Sequence, residues 1–158
     1  MTEERQAQRT DKLIRTILVW SLTLLTGLYF SGGIIPPLFF LSDSGSVNAW
    51  HAFYGYFCHQ IPERSFFIDS CQLGFCSRCT GFFGALFLAS LAILVLRARL
   101  RIHLLMVVVL IIPLLLDFIF DFSSALPAAN LSRLIIGAVA GFGLTAGLFP
   151  RYLALIRR

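Results

Sequence analysis

The sequence predicts an all-α membrane protein: a four-transmembrane-helix bundle with an outer-face loop that carries every cysteine. Three observations predict it. Of the 158 residues, 58% are hydrophobic and 13% are charged, against ~45–50% and ~25% in soluble domains. The apolar residues fall into runs about as long as a ~30 Å hydrocarbon core needs. The basic residues gather in short clusters beside those runs, as membrane-flanking anchors do. A net charge of +5 would point a soluble chain towards nucleic acid, but no basic face is present. Membrane lipids are the expected partners and nucleic acid is not.

Taken in order, residues 1–158 form a single integral membrane domain. A polar head leads into a first span at about 13–30, which is too long, and lacks the small-residue cleavage site, for a signal peptide. Gly32, Gly33, Pro36 and Pro37 then predict a break or kink in this helix. Residues 42–46 are turn-forming, and 47–57, with Trp50, Phe53, Tyr54, Tyr56 and Phe57, suit an interfacial segment at headgroup depth. The outer loop runs from about 42 to 80. Further spans are expected at 81–96, at 102–120 with Pro113 and two aspartates towards its far end, and at 131–149. The last carries Gly137, Gly141, Gly143 and Gly147, small residues that let helices approach closely. That glycine face is the natural contact for a second copy of the chain.

Orientation follows from the arginines. Arg5, Arg9, Lys12 and Arg15 precede the first span, Arg97, Arg99 and Arg101 separate the second from the third, and Arg151, Arg157 and Arg158 close the chain. These are ten of the 13 basic residues, and four spans place all ten on one side. The positive-inside rule makes that side, and both termini, cytoplasmic, in the cell membrane.

Four spans leave two connections outside. The first holds Cys58, Cys71, Cys76 and Cys79 together with His51 and His59; the second supplies Asp117, Asp121, Asn130 and Arg133. Cys58-His59 followed by Cys76-Ser77-Arg78-Cys79 offers three thiolates and an imidazole, a donor set suited to one tetrahedral zinc ion and less to iron. Two structural disulfides in an oxidising compartment are an alternative, with Cys58–Cys71 as one candidate pair. A redox-active Cys76–Cys79 pair is another: it lies where a helix begins and flanks Arg78, a setting that favours the thiolate. Four spans and a C-x₂-C at a helix mouth resemble the DsbB-type quinone-linked disulfide oxidases in architecture, and that likeness would bring a quinone cofactor. Ionisable groups at membrane depth tend to be paired and functional. Asp117 and Asp121, spaced i, i+4, can share one helical face, pair with Arg133 and Arg64, and serve a lipid-headgroup or ion-handling site. Cys76, Cys79, Asp117 and Arg133 are therefore the candidate catalytic groups. No nucleotide loop, zincin helix or haem attachment motif is present.

These residues also carry a resemblance. Cys58-His59-Gln60, Pro62-Glu63-Arg64-Ser65 and Cys76-Ser77-Arg78-Cys79-Thr80-Gly81, followed by Asp117 and by Asn130, Arg133 and Gly137, resemble a family of small prokaryotic membrane proteins, the domain-of-unknown-function family twenty eighty-five. The match covers about 50–145. Asp121 stands where glutamine is expected and Phe118 where glycine is expected. Cys71 lies outside the signature. Three cysteines and one histidine remain, an odd count that favours a site made by Cys58, His59, Cys76 and Cys79 over two disulfides. Gln60, Arg64, Ser65, Arg78, Asp117, Asp121, Asn130 and Arg133 would then surround it as ligand-binding or supporting groups. The resemblance brings no assigned activity.

Overall fold

The computed structural model describes residues 2–39, 44–68, 70–95, 102–122 and 129–155. The first helix, α1 (Thr2–Phe39), runs on without the expected break. Pro36 has no N–H to offer the carbonyl of Gly32, the bond a helix interior would otherwise make. That carbonyl instead accepts from Trp50 Nε1 at 2.7 Å. The Tyr54 hydroxyl donates to the Tyr29 carbonyl at 3.0 Å. A side chain at Gly32 would strike the Tyr54 hydroxyl, and one at Gly33 would strike the Phe75 ring. The glycines thus admit the partners that replace what proline removes. Trp50 and Tyr54 belong to α2 (Ser44–Gly55), which takes up most of the expected interfacial segment.

The expected loop over 42–80 is structured. After α2 comes a 3₁₀ turn at Pro62–Arg64, then β1 (Ser65–Ile68) and β2 (Cys71–Cys76). They pair antiparallel, Ser65 opposite Cys76 and Ile68 opposite Cys71, with a register irregularity between Ser65 and Phe67. The protein is therefore mostly helical with a small two-stranded sheet, rather than all-α. Three consecutive β2 residues, Leu73, Gly74 and Phe75, are buried. Both faces are covered, so the alternation that announces a half-buried strand is missing.

Three longer helices follow: α3 (Ser77–Val95), α4 (Leu104–Phe122) and α5 (Asn130–Leu155). Among the described residues three helical stretches are long and apolar enough to cross a membrane: Thr16–Ile35 in α1, Ser77–Val95 and Asn130–Leu148. The apolar stretch of α4, Leu104–Phe120, is shorter. The helix continues through Pro113 to Phe122, past the expected end.

Helices α3 and α5 run parallel and touch backbone to backbone. A side chain at Gly81 would overlap the Leu134 carbonyl, one at Gly137 the Arg78 carbonyl, and one at Gly141 the Phe82 carbonyl. Such close approach lets van der Waals contact hold helices where lipid removes the hydrophobic drive between them. Gly143 and Gly147 receive Leu110 and Val107 of the antiparallel α4. All four α5 glycines therefore pack within the chain, on the face expected to meet a second copy. Helix α1 lies antiparallel on α3, with Phe87 at Gly27 and Phe30 at Gly84. The helices stand in the order α1, α3, α5, α4. The C-terminal ends of α1 and α4 and the N-terminal ends of α3 and α5 meet at the hairpin.

Candidate functional site

Cys58 lies just beyond α2, in a core with Tyr54 and Phe75 that Tyr29, Cys76, Cys79 and Phe83 border. Its exposure is 4%. The strand β2 ends on Cys76, and Cys79 stands one turn into α3. The three sulfurs lie within 4.8 Å of one another. Thiolates sharing a tetrahedral zinc at ~2.3 Å would stand roughly 3.8 Å apart, so little movement separates this triangle from a ligand set. All four cysteines are free thiols.

Hydrogen bonds aim at the Cys58 sulfur from several sides. The Cys76 backbone N–H donates to it at 3.1 Å, and the Gln60 N–H does so too. Gln60 has φ +48°, the left-handed region that costs a non-glycine residue ~1–2 kcal/mol. Two contacts hold it there: its Nε2 donates to the Gly74 carbonyl at 2.9 Å, and Gln72 Nε2 donates to the Gln60 carbonyl at 2.7 Å. The strained turn points an N–H back at the sulfur two residues earlier. The Cys76 and Cys79 thiols, then these backbone groups, hold the Cys58 thiol well below the ordinary thiol range, although burial opposes them. Cys76 is pushed up instead, chiefly because its proton sits on the bond to Cys58. Cys76 also takes the place of an N-cap residue at α3, its sulfur accepting the Cys79 N–H, as a serine or threonine oxygen would.

A polar network ties this corner to the helix ends. Ser77, fully buried, donates to the Arg64 carbonyl at 2.9 Å and lies 3.4 Å from Asn130 Oδ1. Asn130 Nδ2 donates to the Ser65 carbonyl at 3.3 Å. Ser65 Oγ donates to the Ile61 carbonyl at 2.9 Å and accepts from Gln72 Nε2 at 2.9 Å. Arg78 Nε meets Asp117 Oδ2 at 2.5 Å, both side chains little exposed. Beside the triangle opens a cleft of about 300 Å³, with His59, Arg64, Cys76, Arg78, Phe118 and Arg133 among its walls.

The sequence-derived residues thus divide. Cys58, Cys76 and Cys79 come together; His59 is exposed and stands apart from the triangle, on the cleft. Gln60 supports Cys58; Ser65 and Asn130 brace the hairpin against α5. Asp117 pairs with Arg78, whereas the sequence had matched the aspartates with Arg133 and Arg64. The Asp121 side chain lies outside the described residues. Cys71 is at the far end of β2, about 16 Å of strand from Cys76. Cys58 sits against Cys76, so the candidate Cys58–Cys71 disulfide exceeds the ~7 Å Cα limit. Sequence reasoning missed Ser77 and Gln72. Ser77 stood inside the C-x₂-C motif and was legible as a cap-region hydroxyl, whereas nothing in the sequence distinguished Gln72.

A second cavity, about 480 Å³ and almost wholly apolar, lies between α1, α3 and α5, against Leu22, Leu86, Ser90 and Thr145. It is roughly 10–17 Å along α3 from Cys79 at ~1.5 Å per residue.

Helices apolar enough to span a bilayer, ending in a cluster of three cysteines beside an arginine-lined cleft, define a membrane protein with a thiol site at one end of its bundle. The chain belongs to the family described as "Predicted membrane protein (DUF2085)", whose model matches residues 58–146, from the first cysteine of the triangle into α5. It is also 25% identical, over 146 residues, to an uncharacterised protein of Methanocaldococcus jannaschii, covering 85% of this chain and 93% of that one. No solved structure matches.

Proposed function

We propose that this protein crosses the cell membrane four times, with both termini cytoplasmic, and holds a zinc ion at its outer end on Cys58, Cys76 and Cys79. The observation that carries the reading is the triangle of sulfurs within 4.8 Å, whose most buried member collects backbone N–H donors. Those donors favour a thiolate, the form that ligates metal. Binding would expel the thiol protons and would protect these cysteines from oxidation on an exterior face. Three protein ligands leave the fourth tetrahedral position to His59, a water or a bound ligand, and an open position is typical of catalytic rather than structural zinc. The antiparallel and parallel sense of the helices, together with the basic clusters in sequence, supports the fourth span and the orientation.

Elemental mass spectrometry on detergent-purified protein, with thiols counted on the same sample, tests it. One zinc per chain is expected, lost in Cys58→Ser and Cys76→Ser and kept in Cys71→Ser. Protein purified without chelator that carries no stoichiometric metal would sink the proposal.

A second reading has its own observation: Cys76 at the start of α3 with Cys79 one turn on, beside a Cys58 held towards the thiolate. Cys76–Cys79 would then close a disulfide, giving up two electrons and two protons to a quinone, which becomes quinol. The apolar cavity lies too far along α3 to bring a quinone ring against a sulfur, which places this reading second. Thiol trapping distinguishes them. The redox reading needs the pair to change state when a quinone is added, and the metal reading needs it to stay reduced.

A further inference from the structure

The cleft beside the thiols gathers arginines from three separate elements. Arg64 comes from the 3₁₀ turn, Arg78 from the first turn of α3 and Arg133 from the first turn of α5. Arg133 is 6% exposed. Neither helix has an acidic residue in its first turn. A helix N-terminus carries roughly half a positive charge and disfavours cations, yet both parallel helices set an arginine there, at the same end of the bundle. Exposed backbone N–H groups and guanidinium forks are the donors that recognise phosphate oxygens, often two at a time. Asp117, bonded to Arg78, fixes the fork of that arginine. Ile61 and Phe118 supply apolar wall, which suits a phosphate carried on an apolar group.

We infer that this cleft is a binding site for a phosphate group, held by Arg64, Arg78 and Arg133 at the mouths of α3 and α5. Two sources share that chemistry: the headgroup of an anionic phospholipid and a free phosphate or diphosphate. The inference goes beyond the metal reading and does not rest on it, since no thiol is among the proposed phosphate ligands.

The test uses the full chain in neutral detergent. Short-chain phosphatidic acid, diacylglycerol of the same chain length, and inorganic pyrophosphate are each titrated by calorimetry, with metal content measured on the same sample. Phosphatidic acid is expected to bind and diacylglycerol to bind about 10- to 100-fold more weakly, the worth of one charge-assisted contact. Arg64→Gln should lose a similar factor and Arg64→Lys only part of it. Arg64 sits in a short turn, so this pair carries the test even where Arg133→Gln does not fold. Pyrophosphate binding as well assigns the site to free phosphates; phosphatidic acid alone assigns it to the lipid. Equal binding of phosphatidic acid and diacylglycerol without pyrophosphate binding, or an Arg64→Gln variant that binds like wild type, would overturn the inference. Anion binding without metal would leave it standing while the zinc proposal falls; metal without anion binding would do the reverse.

Discussion

The α3–α5 seam and the outward flank of α4 are both helical and apolar, yet they are built on opposite principles. Along the seam, glycines bring carbonyl against Cα, and Ala140 and Ala146 are fully buried. The top of the seam is closed by Ser77, Asn130 and the Arg78–Asp117 pair. On α4, large side chains such as Leu105 (72% exposed), Val109 and Ile119 face outwards. Size and hydrophobicity therefore mark the outward face, while small residues and polar bonds mark the contacts that define the fold. The thiol triangle lies at the same end of the bundle but beside the seam, packed against Tyr29, Tyr54, Phe75 and Phe83.

Substitutions can break or sharpen this contrast. Gly81→Leu should have the largest effect, because a side chain there meets the Leu134 backbone and neither helix can yield without moving. A loss of about 3 kcal/mol or more, the upper range of overpacking, would appear as a collapsed melting transition in detergent and loss of any bound metal. Asp117→Asn should follow. Both members of the Arg78–Asp117 pair are mostly buried, and leaving a buried charge without its partner costs about 3 kcal/mol. The variant should melt lower, and Asp117→Glu should recover part of the difference. Ser77→Ala removes one buried hydroxyl that donates to Arg64, for about 1–2 kcal/mol measured the same way. Leu105→Ala should move the transition by under about 0.5 kcal/mol, since its side chain already faces out. A large shift at Leu105 would mean that this flank meets protein, and the contrast with the seam would need to be redrawn.

Some of the site was legible in the chain itself. The C-x₂-C spacing put Cys76 and Cys79 one helical turn apart, and the Cys-His-Gln run marked the third sulfur. The placement of His59 on the cleft rather than in the triangle was not legible, because adjacency to Cys58 does not say which way an exposed turn points its imidazole. The left-handed φ of Gln60 was hidden as well, since neither neighbour is a glycine that would announce it. Gln72 became part of the site only through strand pairing, and β2 itself escaped notice because both of its faces are covered.

The continuous helix through Pro36 gives the same lesson in the backbone. Locally, two prolines after two glycines read as a break. The indole of Trp50, 18 residues away, supplies the donor that proline cannot, and no local pattern encodes so distant a bond.

What the sequence determined alone was the membrane class, the presence of long apolar helices and the gathering of the cysteines in one segment. All of these follow from composition and short-range spacing, which the bilayer reads directly as length and polarity. The tertiary structure decided which three sulfurs meet, that Asp117 serves Arg78, and that the α5 glycines are used within the chain. Each of these depends on how separate helices are turned towards one another, and that is set by packing across the whole bundle.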